Sequence, residues 1–328
     1  MPTVVLFGPT PCDNAARLRR LLRTDWQIAA LRDAQDLQAL REALSGAEAL
    51  VALGWKPQWA GTSSRLRLVQ APGAGVDAYE VNALPPGCAL CNVYEHATPI
   101  AEFVMGALVA LTVKLIRRDR LLREGIWEGT ARREGEPHDE LAGKALGLLG
   151  YGTIGREIAR RAAAFGMKVC AVRASSSASQ PDPPLAWLGG PGQLRELLGA
   201  SDYFVICCPL TPQTRGLLDA EKLAWLKPGA YLVNVARAEI VEERALYAEL
   251  KSGRLAGAAL DVWYRYPIGA EECLLPAHAP FHELDNVLMT PHLSAWTHAM
   301  LERRWTKIAA NLDALAEHRP LQNIVVQH

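Results

Sequence analysis

The sequence predicts an α/β protein built on doubly wound parallel sheets. Two observations carry this. Apolar stretches of strand length alternate with stretches of helical periodicity along the chain, the pattern that parallel sheets with crossover helices produce. Near the middle, the apolar run Ala145 to Leu149 enters Gly150-Tyr151-Gly152-Thr153-Ile154-Gly155, and a stretch of helical periodicity follows at once. The 328 residues leave room for two units, each able to bury a core.

Taken in order, Val4 to Gly8 reads as a strand, Ala15 to Leu22 as an Arg-rich helix and Trp26 to Leu31 as a second strand. Asp36 to Leu44 reads as a helix ending around Ser45-Gly46. Ala49 to Leu53, Leu66 to Gln70 and Cys88 to Val93 read as further strands. Thr98 and Pro99 then open a long helix, Thr98 as N-cap and Pro99 in the first position, continuing to about Arg118. Its apolar side (Phe103, Val104, Leu108, Leu111, Leu115) is broad enough to be largely buried. This helix is taken as the passage from one unit into a second. Glu124 to Glu140 is a polar excursion, in which Arg132, Arg133 and His138 read as solvated.

The second unit starts with the glycine turn and its helix, which Gly166 stops, and continues with the strand Lys168 to Arg173. Ser175 to Pro184 reads as a loop. Tyr203 to Cys208, Tyr231 to Ala236, Ala256 to Trp263 and Asn286 to Met289 read as strands. Trp296 to Ala316 is helical and is expected to return to the first unit, which is therefore discontinuous. The expected boundaries are 1–97, 98–290 and 291–328.

The glycine turn has a definite chemistry. Gly150 permits a tight turn, Gly152 lets the backbone approach a pyrophosphate, and Gly155 lets helix and strand pack closely. The helix start then offers unpaired N–H groups and a positive dipole end to the anion. Dinucleotide binding is the reading that this context supports.

Composition removes other classes. Lys+Arg and Asp+Glu balance at 35 each, which gives no support to nucleic-acid or anionic-membrane partners. The N-terminus lacks a signal-peptide pattern and the most apolar run, Phe103 to Val113, is too short to span a bilayer; the expectation is a cytoplasmic protein. Seven cysteines at irregular spacing do not form a disulfide framework. Cys88 and Cys91 match CxxC but lie along a strand, where residues three apart point to opposite faces. Cys207 and Cys208 read as packing thiols. His278 and His282 bracket Pro280, and with His298 they make no ligand set, so no metal site is expected.

Arg237, Asp261 and His292 each lie at or near the carboxyl end of an apolar strand in the second unit. In an open parallel sheet those ends border the crevice where ligands bind. An arginine there can grip a carboxylate with its fixed fork of donors. A histidine can carry the proton that travels when a hydride moves to a carbonyl. Singly, each has a plainer role as surface charge, turn cap or loop residue. Together, beside a dinucleotide turn, they point to a site.

At this point the motifs resemble the D-isomer-specific 2-hydroxyacid dehydrogenases, which include glyoxylate/hydroxypyruvate reductases and phosphoglycerate dehydrogenases. The resemblance runs through Pro72-Gly73-Ala74-Gly75-Val76-Asp77, Gly150 to Gly155, Ser201-Asp202 with Pro209-Leu210-Thr211, Asn234 to Arg237, Leu260-Asp261-Val262 and Thr290-Pro291-His292, in the family's order. It implies a Rossmann cofactor domain inserted into a discontinuous flavodoxin-like substrate domain, and a homodimer formed through the cofactor domain. It implies Arg237 as the substrate-clamping arginine, His292 as proton donor, and Ala74 and Gly75 as the turn that binds a small-molecule carboxylate. Asp261 is similar to the aspartate that holds the nicotinamide carboxamide, and Thr153 and Ile154 stand where the cofactor phosphates are met. Pro209 and Val235, in the matched motifs, and Cys207, just before Pro209, complete the cofactor-binding set.

Two departures stand out. Where NAD-using members carry an acid at the end of the second strand, this chain has Arg173 followed by Ser175, Ser176 and Ser177. An arginine and hydroxyls attract a 2′-phosphate, so NADP(H) is favoured over NAD(H), with Arg173 stacking on adenine as the alternative. The family pattern Asp-Val-x-x-x-Glu-Pro here ends in Tyr266-Pro267. A phenol can orient His292 but supplies no charge to raise its pKa. That leaves a ketoacid reductase that loses activity at lower pH than its relatives, or a dehydrogenase of an unusual small anion. The formate dehydrogenases of this family also lack the glutamate. Trp263, Tyr264, Tyr266 and Trp296 are expected to shape an aromatic substrate pocket. A cofactor-sensing binding protein, like the C-terminal-binding-protein corepressors, is the alternative from another class; Arg237 and His292 favour the enzyme.

Overall fold

The computed structural model describes residues 1–60, 64–128, 137–174, 183–267 and 273–327. The chain divides into two compact units, one formed by residues 1–95 and 296–328 and the other by 96–295.

The first unit begins with β1 (Thr3–Phe7), α1 (Pro9–Asp13), α2 (Ala15–Leu21), β2 (Gln27–Leu31), α3 (Leu37–Leu44), β3 (Ala49–Val51), β4 (Leu68–Gln70) and β5 (Ala89–Cys91). The order β2-β1-β3-β4-β5 is parallel throughout and is the flavodoxin-like doubly wound arrangement. Asp36 caps α3 by accepting the Ala39 N–H at 2.9 Å. The strands bury Val5, Phe7, Leu50, Val69 and Leu90 against Leu40 and Leu44 of α3 and against Trp55 and Trp59.

The second unit opens with α4 (Ala97–Thr112) and α5 (Leu115–Arg123). The sequence predicts one helix here from Thr98 to about Arg118, and the structure corrects both ends. α4 starts two residues earlier, at Ala97, with His96 as N-cap and no side-chain cap. It then breaks at Lys114, whose φ of 51° is left-handed, and the two helices bend by 57°. β6 (Ala145–Leu149), α6 (Thr153–Ala164), β7 (Lys168–Val172) and β8 (Leu185–Gly189) follow, then α7 (Leu194–Ala200), β9 (Tyr203–Ile206) and α8 (Ala220–Leu223). β10 (Tyr231–Asn234), α9 (Glu243–Lys251), β11 (Gly257–Leu260) and β12 (Val287–Met289) complete it. The strand order is β12-β11-β10-β9-β6-β7-β8, all parallel, with the order reversing between β6 and β9. This is a Rossmann sheet.

Its core lies on both faces because successive strand residues point opposite ways. Tyr203 and Val205 pack with α4 and α6 through Leu108 and Ile158. Phe204 and Ile206 pack on the other face with Leu197 of α7 and Leu246 of α9. No single helix among the described residues is long and apolar enough to cross a membrane.

The chain then re-enters the first unit with α10 (His298–Ala316) and β13 (Ile324–Gln327), which pairs antiparallel with β5. Asn311 of α10 donates to the Gln70 side chain at 2.8 Å and accepts the Gln322 N–H at 2.9 Å, so helix and sheet are tied through buried amides. β8 and β13 are strands that the sequence reading missed. The first follows the residues around Ser175, which lie outside the described residues, as do Ser176, Ser177, Arg132 and Arg133.

Candidate active site

The glycine turn sits where the Rossmann strand order reverses, between β6 and α6. Gly150 has φ 109°, and a Cβ there would lie 2.7 Å from the Cys208 backbone nitrogen, so only glycine fits. A Cβ on Gly155 would meet the Gly150 carbonyl at 2.5 Å, which is the close helix–strand packing read from the sequence. Around Gly152 a Cβ would find no atom within 4 Å. Gly152 is the N-cap of α6, followed by exposed Thr153 and half-buried Ile154, where helix N–H groups lack intrahelical partners. The turn therefore fits a pyrophosphate.

Cys207 lies against this turn, its thiol donating to the Gly150 carbonyl at 3.1 Å. Burial pushes the Cys207 thiol well above its ordinary range, and Cys208 up to about 11. Both remain thiols at neutral pH and serve as packing. Pro209 is exposed just beyond them, and Val235 is buried in the core with only 6% of its surface accessible. Arg173 follows β7, its backbone N–H on the Gly189 carbonyl. Its Nε is buried without a hydrogen-bond partner, and it forms no ion pair among the described residues.

Arg237 stands just after β10 in a loop braced by Asn234. The Asn234 side chain accepts the Ala236 N–H and donates to the Arg237 carbonyl, both at 3.0 Å. The guanidinium also donates to the Ala236 carbonyl at 2.8 Å.

His292 is exposed on the turn after β12 and has φ 57°, a conformation rare for residues with a side chain. Residues that follow β11 hold this turn. Asp261 is fully buried and accepts from the Thr290 hydroxyl at 2.7 Å and from the Leu293 and Ser294 N–H groups at 2.9 and 3.0 Å. The Trp263 indole donates to the Thr290 carbonyl at 2.8 Å. The Tyr266 hydroxyl meets His292 Nδ1 at 3.0 Å and accepts the Trp263 N–H at 3.1 Å. Asn234 and Thr290 entered the sequence reading only as members of matched motifs, and Trp263 only as a wall of an aromatic pocket. Polar side chains at strand ends were the available signal for the first two.

The aromatic expectation needs a correction. Trp263 is 5% exposed and packs edge-on to Phe281, while the Tyr264 hydroxyl donates to the Val241 carbonyl. Both belong to the core of their unit. Tyr266 and Trp296 remain exposed, on the second and first unit respectively.

In the first unit, Ala74 and Gly75 lie in the turn after β4, which Asn92 secures by donating to the Ala74 carbonyl at 3.0 Å. Their N–H groups have no acceptor among the described residues.

Comparison with known proteins follows this geometry. A family model described as D-isomer specific 2-hydroxyacid dehydrogenase, NAD binding domain, matches residues 105–294. The chain is 36% identical over 241 residues to a hydroxypyruvate reductase of Thermotoga maritima, covering 73% of this chain and 74% of that one. It is 34% identical over 259 residues to a glyoxylate reductase of Pyrococcus furiosus, covering 76% and 73%. A solved 2-hydroxyacid dehydrogenase from Ketogulonicigenium vulgare Y25 superposes with a TM-score of 0.81 at 26% identity, covering 99% and 98%. These similarities and the Rossmann turn define a nicotinamide-dependent oxidoreductase acting on a CH–OH group. The chain belongs to the D-isomer specific 2-hydroxyacid dehydrogenase family.

Proposed function

We propose that this enzyme reduces a small 2-ketoacid, such as glyoxylate or hydroxypyruvate, to the D-2-hydroxyacid, with NADP(H) favoured and NAD(H) possible. One observation carries the reading: Arg237 and the braced His292 turn follow β10 and β12, on the carboxyl-end side of the Rossmann sheet that bears the glycine turn. When bound, the nicotinamide supplies the hydride. Arg237 receives the role of gripping the carboxylate and polarising the carbonyl. His292 delivers the proton to the carbonyl oxygen. Ala74 and Gly75 receive the role of carboxylate donors through their N–H groups. Gly150, Gly152, Thr153, Ile154 and Gly155 receive the pyrophosphate, and Cys207, Pro209 and Val235 border the rest of the cofactor. Asp261 retains the proposed carboxamide role beside its hold on the His292 turn.

The NADP(H) preference is supported by Arg173, whose buried Nε lacks an acceptor that a 2′-phosphate would supply. A homodimer is supported by apolar residues exposed on and after α5, namely Leu115, Ile116, Leu122, Ile126 and Trp127. All seven cysteines are free thiols, as a reducing compartment maintains, which supports a cytoplasmic location.

The test is initial-rate reduction of glyoxylate, hydroxypyruvate, pyruvate and phenylpyruvate with NADPH and NADH side by side. NADPH-favouring turnover is expected. Turnover with NADH alone would remove the cofactor preference. The contact of His292 with a phenol rather than a carboxylate favours a second reading, oxidation of a small anion with little demand for proton transfer. Tight cofactor binding with no ketoacid turnover would move the weight to that reading or to a sensor.

A further inference from the structure

The Tyr266 hydroxyl, which meets His292 Nδ1, has two neighbours with unequal freedom. The Trp263 backbone N–H, 3.1 Å away, can only donate. The phenolic oxygen is therefore an acceptor toward Trp263, and its own hydrogen is left for Nδ1 at 3.0 Å. A neutral imidazole that accepts at Nδ1 carries its hydrogen on Nε2. Protonating such a ring requires Nδ1–H to turn donor, so the phenolic oxygen must take a second N–H and rotate its hydrogen away.

We propose that Tyr266 is a positioning residue that fixes neutral His292 as the Nε2–H tautomer through its phenolic hydrogen, so that His292 gains its proton at a lower pH than it would with a carboxylate in the place of Tyr266. The proposal rests on the reading of His292 as proton donor. The charged groups around the phenol are Arg237, Asp261 and Glu239. Arg237 opposes a second positive charge, while the two carboxylates favour it. Asp261 is already engaged by the Thr290, Leu293 and Ser294 donors. Desolvation of the phenol raises its pKa, so it keeps its hydrogen throughout the range in which histidines titrate. In turnover, hydride reaches the carbonyl carbon as the C=O π pair becomes an O–H bond with the proton from Nε2 of the protonated ring. The ring is left neutral with its hydrogen on Nδ1, and proton exchange with water returns it to the Nε2–H form that the phenol favours.

The measurement is 15N NMR of the histidine rings in the whole protein across pH, with His292 assigned by its loss in His292→Asn. The unaltered protein is expected to show His292 as the Nε2–H tautomer when neutral. Tyr266→Glu should raise its titration midpoint by about 1–2 pH units. Tyr266→Phe should abolish the tautomer preference without that rise. The limb of kcat/KM for ketoacid reduction that reports His292 should move with the NMR midpoint in each variant. A neutral Nδ1–H tautomer in the unaltered protein, or an unmoved midpoint in Tyr266→Glu, would overturn the proposal. If a variant fails to fold, the tautomer in the unaltered protein decides. If no ketoacid turns over, the functional reading fails while the ring measurement still tests this one.

Discussion

Arg173 shows how a single side chain can set a preference. Its guanidinium follows β7, with one nitrogen buried and unpartnered. Arg173→Glu is expected to lower kcat/KM with NADPH relative to NADH by on the order of tenfold to a hundredfold, the worth of one or two charge-assisted hydrogen bonds. Steady-state kinetics with both cofactors checks this, and an unchanged ratio would return Arg173 to an adenine-stacking role. Residues of this kind were legible in the sequence because glycine, arginine and histidine at strand ends have few structural reasons to be there. Of the clamp on His292, only the Tyr266 phenol was read in the sequence, through the resemblance; the hold of Asp261 and Trp263 on the same turn was not legible. Asp261, Trp263 and Tyr266 act on residues some thirty positions along the chain, and only folded coordinates bring a strand end to the next strand's turn.

Periodicity reports faces well and backbone breaks poorly, as α4 and α5 illustrate. The apolar stripe continues past the true end of α4, so nothing in its spacing marks Lys114 as left-handed. Such a residue costs about 1–2 kcal/mol, which glycine escapes. Lys114→Gly is therefore expected to keep or raise Tm, and Lys114→Val to lower it, by thermal melting. Asp202, at the entry to β9, makes a second case. Burial pushes its carboxyl up, but the Ala145 N–H at 2.8 Å and the Lys227 ammonium at 2.7 Å outweigh this and hold it below the usual range. A depressed folded-state pKa contributes stability above the unfolded value of about 3.9 and loses it as pH falls through the folded value. Asp202→Ala should cost about 1–2 kcal/mol at pH 7, allowing for its partial exposure. The gap in Tm from the unaltered protein should close as pH falls below the unfolded value and through the lower folded one.

For the molecule as a whole, alternation of strands and helices was enough to read two α/β units, since parallel sheets demand crossovers. It could not reveal β13, four residues that are mostly exposed and paired antiparallel at a sheet edge. The proposed dimer is open to a direct check: Ile116→Asp with Trp127→Asp should convert a dimer to a monomer in sedimentation velocity. β13 also bears on how the chain is made. Residues 96–295 leave the ribosome before α10 and β13 exist, so the inserted unit has all its strands while the first still lacks its closing helix and edge. Until translation reaches residue 327, the apolar strand Ala89–Cys91 has an unpaired side. The nascent chain thus carries this apolar edge unpaired through most of its synthesis, a surface of the kind that chaperones cover.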